Sequence, residues 1–359
     1  MISYWVTESG RFGIDAYRQN RGLAIADRFQ TRLYDHIGDV VQLTSGAQVF
    51  SALDHLTEAQ KDVVAAIWDG HAVAAPEATR LNDPRRVHLR FPLLKTLHEQ
   101  KLNSYRVFRA RDLEQVDTFP VFVRHMYDHS GPRTRLLNTR REVGAALFAL
   151  RLRGYRLRDL MIVEFCNTSN RDGLFRKFSA FKVGKHIIPC HLLVSNYWCV
   201  KSARSQPTEE SLREGIEFVD ANPHHDWLRR VFAVGGVDYG RVDYGVLDGT
   251  PQVWEINLNP TIGRVTGWQG NFALPAAINT LREHHREAFH ARLRAAFVAL
   301  DTGETQAVSV GIGESLLKRV RAESAAIQRR ARFLGGVSEL SGHPQLGLAI
   351  RAVLKLFPR

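Results

Sequence analysis

The sequence predicts a mixed α/β (α+β) protein, and three observations predict it. Hydrophobic residues make up 44% and charged residues 24% of the 359 positions, enough apolar content and length for a sizeable core and two or three packed domains. Short apolar runs closed by turn residues alternate with segments of helical period. Two strand-like runs, 242–246 and 251–256, flank Asp248-Gly249, a pair that supplies the positive φ of a tight antiparallel hairpin. Low hydrophobicity with high charge density is absent, so disorder is excluded as the main state. No stretch reaches the ~20 apolar residues that would cross a bilayer.

Taken in order, residues 1–92 are expected to form a small N-terminal α/β domain. They hold a short apolar run at 39–43, a helical pattern at 58–69, and Leu81-Asn82-Asp83-Pro84, where Asn/Asp before Pro favours a turn. Residues 93–270 carry the densest strand signals, at 119–124, 160–165 and 175–183, with helices expected at 142–153 and 208–219. Residues 271–359 are expected to be a basic helical region. Apolar faces recur over 275–300 and 314–334 around a break at Gly311 and Gly313, and 316–359 holds nine Lys/Arg against two Asp/Glu.

Charge and cysteine usage narrow the class. The net charge of +12 suits an anionic partner such as a phosphorylated ligand, an acidic substrate, nucleic acid or a membrane surface. No RNP, KH, helix-turn-helix or zinc-finger pattern is present, so nucleic acid is not the expected partner. Cys166, Cys190 and Cys199 are odd in number and lack C-x-x-C spacing, which argues against a disulfide framework or zinc knuckle and for a reducing, cytoplasmic setting. Met1-Ile2-Ser3-Tyr4-Trp5-Val6 has no basic stretch leading into an apolar one, so no secretory signal is expected.

The chemistry concentrates at Arg241-Val242-Asp243 and Glu255-Ile256-Asn257-Leu258-Asn259-Pro260. Strand period places Arg241 with Asp243 on one face, and Glu255 with Asn257 on one face. If the strands pair as a hairpin, an Asp, a Glu and an Asn amide converge from neighbouring strands. These hard oxygen donors suit Mg²⁺ held with nucleotide phosphates and water. The alternative is a hairpin with solvated carboxylates.

This pattern, R-x-D followed by E-[IV]-N-x-x-P, resembles the metal-binding signature of the ATP-grasp superfamily, which includes D-alanine–D-alanine ligases, glutathione synthetases and ribosomal-protein glutamate ligases. The resemblance runs as ordered motifs over about 93–265. It implies two α+β subdomains clamping a nucleotide, preceded by a small α/β domain and followed here by the C-terminal helices. It also implies ATP and Mg²⁺ as cofactors, with two ions and Mn²⁺ as a substitute. Asp243, Glu255 and Asn257 would hold the metal, and Arg241 would face the acyl phosphate or tetrahedral intermediate.

The rest of the family's site is sought upstream. Arg124 stands where the family's phosphate-binding Lys ends a strand, and Arg keeps the charge with a different geometry. The loop His129-Ser130-Gly131-Pro132-Arg133-Thr134 is the candidate phosphate flap, although it has one Gly where the family has several. Glu164 resembles the acidic residue of the hinge that meets the ribose; the other reading pairs it with a neighbouring Arg. On the 175–183 strand Lys177 or Arg176 would reach the phosphates, and adjacent residues point to opposite faces, so one of them enters. Lys177 is favoured. His191, Trp198 and Lys201 follow on a segment that lines the cleft in relatives.

The expected function is an ATP- and Mg-dependent ligase that makes an acyl phosphate from a small-molecule or peptide carboxylate and joins it to an amine. The alternatives are an ATP-grasp phosphotransferase, or a basic protein binding nucleic acid or an acidic surface through its tail. Glu255→Gln and Asp243→Asn are both expected to stop turnover with the fold nearly intact.

Overall fold

A computed structural model of the chain describes residues 1–201, 205, 208–262, 276–303 and 306–340. Its strands are β1 (Ile2–Val6), β2 (Phe29–Leu33), β3 (Val40–Thr44), β4 (Ala47–Phe50), β5 (Arg80–Leu81), β6 (Val107–Arg109), β7 (Val121–His125), β8 (Leu160–Glu164), β9 (Phe175–Val183), β10 (His186–Ser195), β11 (Tyr239–Leu247), β12 (Thr250–Asn257) and β13 (Ala307–Gly311). The α-helices are α1 (Phe12–Gln19), α2 (Glu58–Ala74), α3 (Arg90–Glu99), α4 (Arg140–Leu152), α5 (Glu209–Ala221), α6 (His225–Gly235), α7 (Ala276–Val298) and α8 (Glu314–Leu340). The mixed α/β class is as expected.

Local chemistry accounts for most element ends. Helix α2 starts at a capping box in which Thr57 and Gln60 satisfy each other's backbone amides. It outruns the expected 58–69 because Val63, Val64, Ile67 and His71 keep one face buried. Helix α5 has the same box from Thr208 and Ser211, and ends at Asn222 in the left-handed region. The β11–β12 turn takes φ of 47° at Asp248 and 78° at Gly249, as a two-residue hairpin requires. Both expected C-terminal helices form, as α7 and α8. Part of the basic region, 271–275, 304–305 and 341–359, lies outside the described residues.

The chain divides into two compact units, Met1–Leu89 with Asn167–Leu317, and Arg90–Cys166 with the chain from Lys318. This differs from the compositional regions 1–92, 93–270 and 271–359. The reason is a shared core: Ile2, Tyr4, Tyr17, Phe29 and Val49 pack in one cluster with Phe181, Val183, Tyr239, Phe289, Leu293 and Phe297. Composition reads neighbours in sequence and is blind to such packing. Strand β13, unread in the sequence, pairs antiparallel with β3.

The first unit holds a parallel sheet of order β2-β1-β4-β5 and an antiparallel sheet of order β10-β9-β11-β12. The second holds the antiparallel sheet β6-β8-β7. There Val121, Val123 and Ile162 pack on Val143, Leu147 and Leu150 of α4. Among the described residues no helix is long and apolar enough to cross a membrane.

One buried side chain ties the entry of β11 to the parallel sheet. Asn82, fully buried at φ 69°, donates through Nδ2 to the Phe50 and Tyr239 carbonyls at 3.0 and 2.8 Å. Its Oδ1 accepts the Asp238 and Tyr239 amides at 2.8 and 2.9 Å. All four hydrogen-bonding positions of the amide are used. Asn82→Ala is expected to cost on the order of 4 kcal/mol, because buried backbone groups lose their partners and Ala is strained at positive φ. Urea unfolding checks this, and a loss below about 1 kcal/mol would refute the role.

Candidate active site

The site is built on the face of the β10-β9-β11-β12 sheet. Residues directly opposite in an antiparallel pair project to the same side. His191 lies opposite Ser179, Ser179 opposite Asp243, and Asp243 opposite Glu255, so one row crosses all four strands. Arg241 lies opposite Asn257 in the adjoining row. Lys177 shares the face of Ser179, two residues away on β9. A bulge after Asp243 leaves Trp254 as the extra residue on β12 and ends the regular pairing beside the carboxylates.

The opposite face of the sheet is filled by aromatic packing. Phe178 lies 4.9 Å from Phe218 of α5 and 5.5 Å from Tyr244, and Trp227 of α6 lies 5.2 Å from Tyr244. Polar side chains therefore collect on the other face.

Asp243, 3% exposed, is the centre of the cluster. Its Oδ1 accepts Arg241 Nε at 2.9 Å and the Ser179 hydroxyl at 2.9 Å. Its Oδ2 accepts Arg241 Nη2 at 3.2 Å, Lys177 Nζ at 3.2 Å and Asn257 Nδ2 at 3.4 Å. Burial alone would raise the Asp243 pKa, but the Arg241 and Lys177 charges outweigh it and hold the carboxyl well below the ordinary range. Burial works against the Arg241 charge, yet the adjacent Asp243 carboxylate raises its pKa above the usual arginine value. Both groups are ionised and mutually oriented.

The donor set fits magnesium. Asp243 and Glu255 are cross-strand partners, whose Cβ atoms lie about 5 Å apart in such pairs, close enough for both carboxylates to reach one ion. The Asn257 amide already touches Asp243. Three oxygen-bearing side chains without sulfur or imidazole among them match a hard divalent cation.

The structure thus brings together Arg241, Asp243, Glu255, Asn257 and Lys177. Arg176 is directed away: it binds Glu214 of α5 through Nε at 2.7 and 2.9 Å, on the aromatic face. On the expectation that Mg-ATP is the substrate, Lys177→Ala should lower kcat/KM by roughly 100-fold, and Arg176→Ala by less than about twofold. Steady-state kinetics decide, and equal losses would overturn the assignment.

Arg124 and Glu164 belong to the second unit. Arg124 is buried on β7 opposite Met161, and its backbone bridges to Pro132. Glu164 takes the alternative reading of the sequence: its Oε1 accepts Arg106 Nε at 2.9 Å and Nη2 at 2.6 Å, and its Oε2 accepts the Arg106 amide at 2.7 Å. Arg106 also pairs with Asp117. In the candidate flap, Arg133 pairs with Asp128 and His129 Nδ1 lies 3.2 Å from Arg90 Nη2. The Glu164, Arg106, Arg133 and His129 side chains are engaged within the unit.

Ser179 is the residue sequence reasoning missed. The available signal was its position two residues beyond Lys177 on the same strand face. Cys190 was also passed over, although its Sγ lies 3.1 Å from His191 Nδ1. Trp198 and Lys201 lie beyond β10, and 202–204 and 206–207 next to them are outside the described residues.

No family model matches the sequence, and no curated protein matches it. Among solved structures, the chain is similar to a RimK domain protein ATP-grasp from Sphaerobacter thermophilus, at 13% identity and a TM-score of 0.44 over 83% of this chain and 100% of that one. It is similar to D-alanine–D-alanine ligase from Helicobacter pylori, at 11% identity and a TM-score of 0.42 over 80% and 98%. A third similar structure is the ATP-grasp ligase PsnB complexed with a phosphomimetic variant of its minimal precursor, Mg and ADP, at 12% identity and a TM-score of 0.44 over 79% and 97%.

Proposed function

We propose that this chain is an ATP- and Mg²⁺-dependent ligase of the ATP-grasp type that converts a substrate carboxylate to an acyl phosphate and joins it to an amine. The observation that carries the reading is the register of β11 on β12, which sets Asp243 opposite Glu255 and Arg241 opposite Asn257 at the residues of the R-x-D and E-I-N-x-x-P motifs.

Asp243, Glu255 and Asn257 would hold the ion, with Mn²⁺ as a substitute. When bound, the ion neutralises charge on the triphosphate and on the phosphoryl group in transfer. In the first step a carboxylate oxygen attacks the γ-phosphorus of ATP, the bond to ADP breaks, and the acyl phosphate forms. In the second step an amine attacks the acyl carbon, inorganic phosphate leaves, and the amide remains. Lys177, held beside the metal carboxylate, supplies positive charge to the transferring group. Arg241, fixed by two hydrogen bonds to Asp243, presents a pre-oriented guanidinium to the negative charge that develops in either step. Catalysis of this kind is positioning and electrostatics and needs no Ser or Cys nucleophile.

Arg124 keeps its proposed place on the triphosphate by charge. For Glu164 the pairing with Arg106 favours holding β8 over meeting a ribose, and Arg176 yields the phosphate role to Lys177. The acid and amine substrates are proposed as small molecules or peptides.

The test is ADP release by the purified chain with Mg-ATP across pools of amino acids, peptides and other acids. Hydroxylamine is present in parallel reactions, and condensed products are read by mass. A substrate-dependent hydroxamate and an amide formed in step with ADP are expected. ADP with a phosphorylated product and no hydroxamate would make the protein a phosphotransferase. Absence of Mg-dependent nucleotide uptake by calorimetry would overturn the nucleotide site itself.

A further inference from the structure

A chain of polar contacts runs along the sheet face into Asp243 and ends away from the motif residues. Cys190 Sγ lies 3.1 Å from His191 Nδ1, His191 Nε2 lies 3.1 Å from Ser179 Oγ, and Ser179 Oγ lies 2.9 Å from Asp243 Oδ1. The pairing of β10 with β9 shifts register between Pro189 and His191, so Cys190 is the extra residue of a bulge. A bulge re-aims side chains, and this one leaves the thiol and the imidazole in contact with each other.

The direction of every proton in this chain follows from its last member. Asp243 is an ionised carboxylate and only accepts. Ser179 is fully buried and has one O–H, which it donates to Asp243; it therefore accepts from His191. His191 must then carry its proton on Nε2, and Nδ1 becomes the acceptor for the Cys190 thiol. The imidazole is neutral and the thiol protonated because of their surroundings: burial, then Arg241 and Lys177, push His191 down to about 3, and burial pushes Cys190 up to about 12.

We infer that His191 and Ser179 are positioning residues that clamp Asp243 through Oδ1 and so aim Oδ2 at the cation; this rests on the reading of Asp243 as a metal ligand. The two oxygens are held unequally, as that division requires. Oδ1 has two bonds of 2.9 Å from groups on the same sheet face. Oδ2 has three of 3.2 to 3.4 Å, the looser set that an incoming ion displaces at lower cost. Groups behind a metal ligand commonly set its affinity within a factor of about 10 to 100.

The test uses full-length Ser179→Ala and Ser179→Thr, with His191→Gln as a further variant. Mn²⁺ binding is followed by the electron paramagnetic resonance of the free ion. Ser179→Ala is expected to weaken Mn²⁺ about tenfold and to raise the KM for Mg-ATP more than it lowers kcat. Ser179→Thr, which keeps the hydroxyl, should restore most of both. Independently of any metal, the ¹⁵N shifts of His191 should report the Nε2-protonated tautomer in the wild type and lose that signature in Ser179→Ala.

An Nδ1-protonated His191 in the wild type would overturn the clamp whatever the metal result. So would wild-type Mn²⁺ affinity in a folded Ser179→Ala protein. If the wild type itself takes up no Mn²⁺ while the Nε2 tautomer is present, the metal reading fails and the hydrogen-bond order stands. A Ser179→Ala protein that fails to fold passes the decision to His191→Gln, where unchanged Mn²⁺ affinity refutes the clamp and a weakening of several-fold supports it.

Discussion

Glu255→Gln is expected to lower ATP turnover by at least about 100-fold and to move the melting temperature by less than about 2 °C. The change replaces a carboxylate by an amide of the same shape, so packing around the half-buried side chain is kept. What is lost is one of the two negative charges that face each other across β11 and β12. An amide oxygen is a weaker partner for a hard cation than a carboxylate, and the negative charge that these two side chains would offer a bound Mg²⁺ is halved. Turnover at saturating Mg-ATP and a thermal melt in the same buffer check the result. Wild-type turnover would remove Glu255 from the metal site and with it the ligase reading.

Asp243→Asn should lose turnover to a similar extent and, unlike Glu255→Gln, lose stability too. From sequence both substitutions promised an intact fold, since each exchanges one atom for another of like size. The structure separates them because Asp243 is the shared counter-ion of Arg241 and Lys177 at a buried position. Removing it leaves two cations with diminished compensation, a change that costs about 3 kcal/mol when one partner of a buried pair is lost.

The pH dependence has a definite sign. The folded pKa of Asp243 lies below its ordinary value of 3.8, so its contribution is present in full well above that value. It is lost as pH falls from about 4 downward. The stability gap between wild type and Asp243→Asn, measured by urea unfolding, should therefore be constant near neutrality and narrow steadily as pH falls below about 4. A gap that keeps its full width in acid, or no gap at pH 7, would show that the carboxylate charge does not hold the cluster together.

Much of the architecture was legible because its signals are local. Asp248-Gly249 names its own turn, but unbroken pairing from that turn would set Asp243 opposite Trp254, and the bulge at Trp254 is what brings Asp243 opposite Glu255. Thr57 with Gln60 marks the start of α2 in the same way. Signals failed where the partner is distant in the chain. Nothing near Glu164 announces Arg106 as its counter-ion, and nothing near Ala307–Gly311 announces β3 as its pairing strand.

By itself the sequence determined the mixed α/β class and the hairpin, because each depends on periodicity and a turn within some twenty residues; the bulge at Trp254, which the structure adds, turns Glu255 and Asn257 to the face of Asp243 and Arg241. The tertiary structure alone decided that Lys177 and not Arg176 joins them, that Ser179 and His191 stand behind Asp243, and that Asn82 holds the start of β11. The first two outcomes depend on β9 lying between β10 and β11, and the third on β4 and the start of β11 meeting at Asn82. Strand order is set by which apolar faces pack together across the whole unit, and no local pattern carries that information.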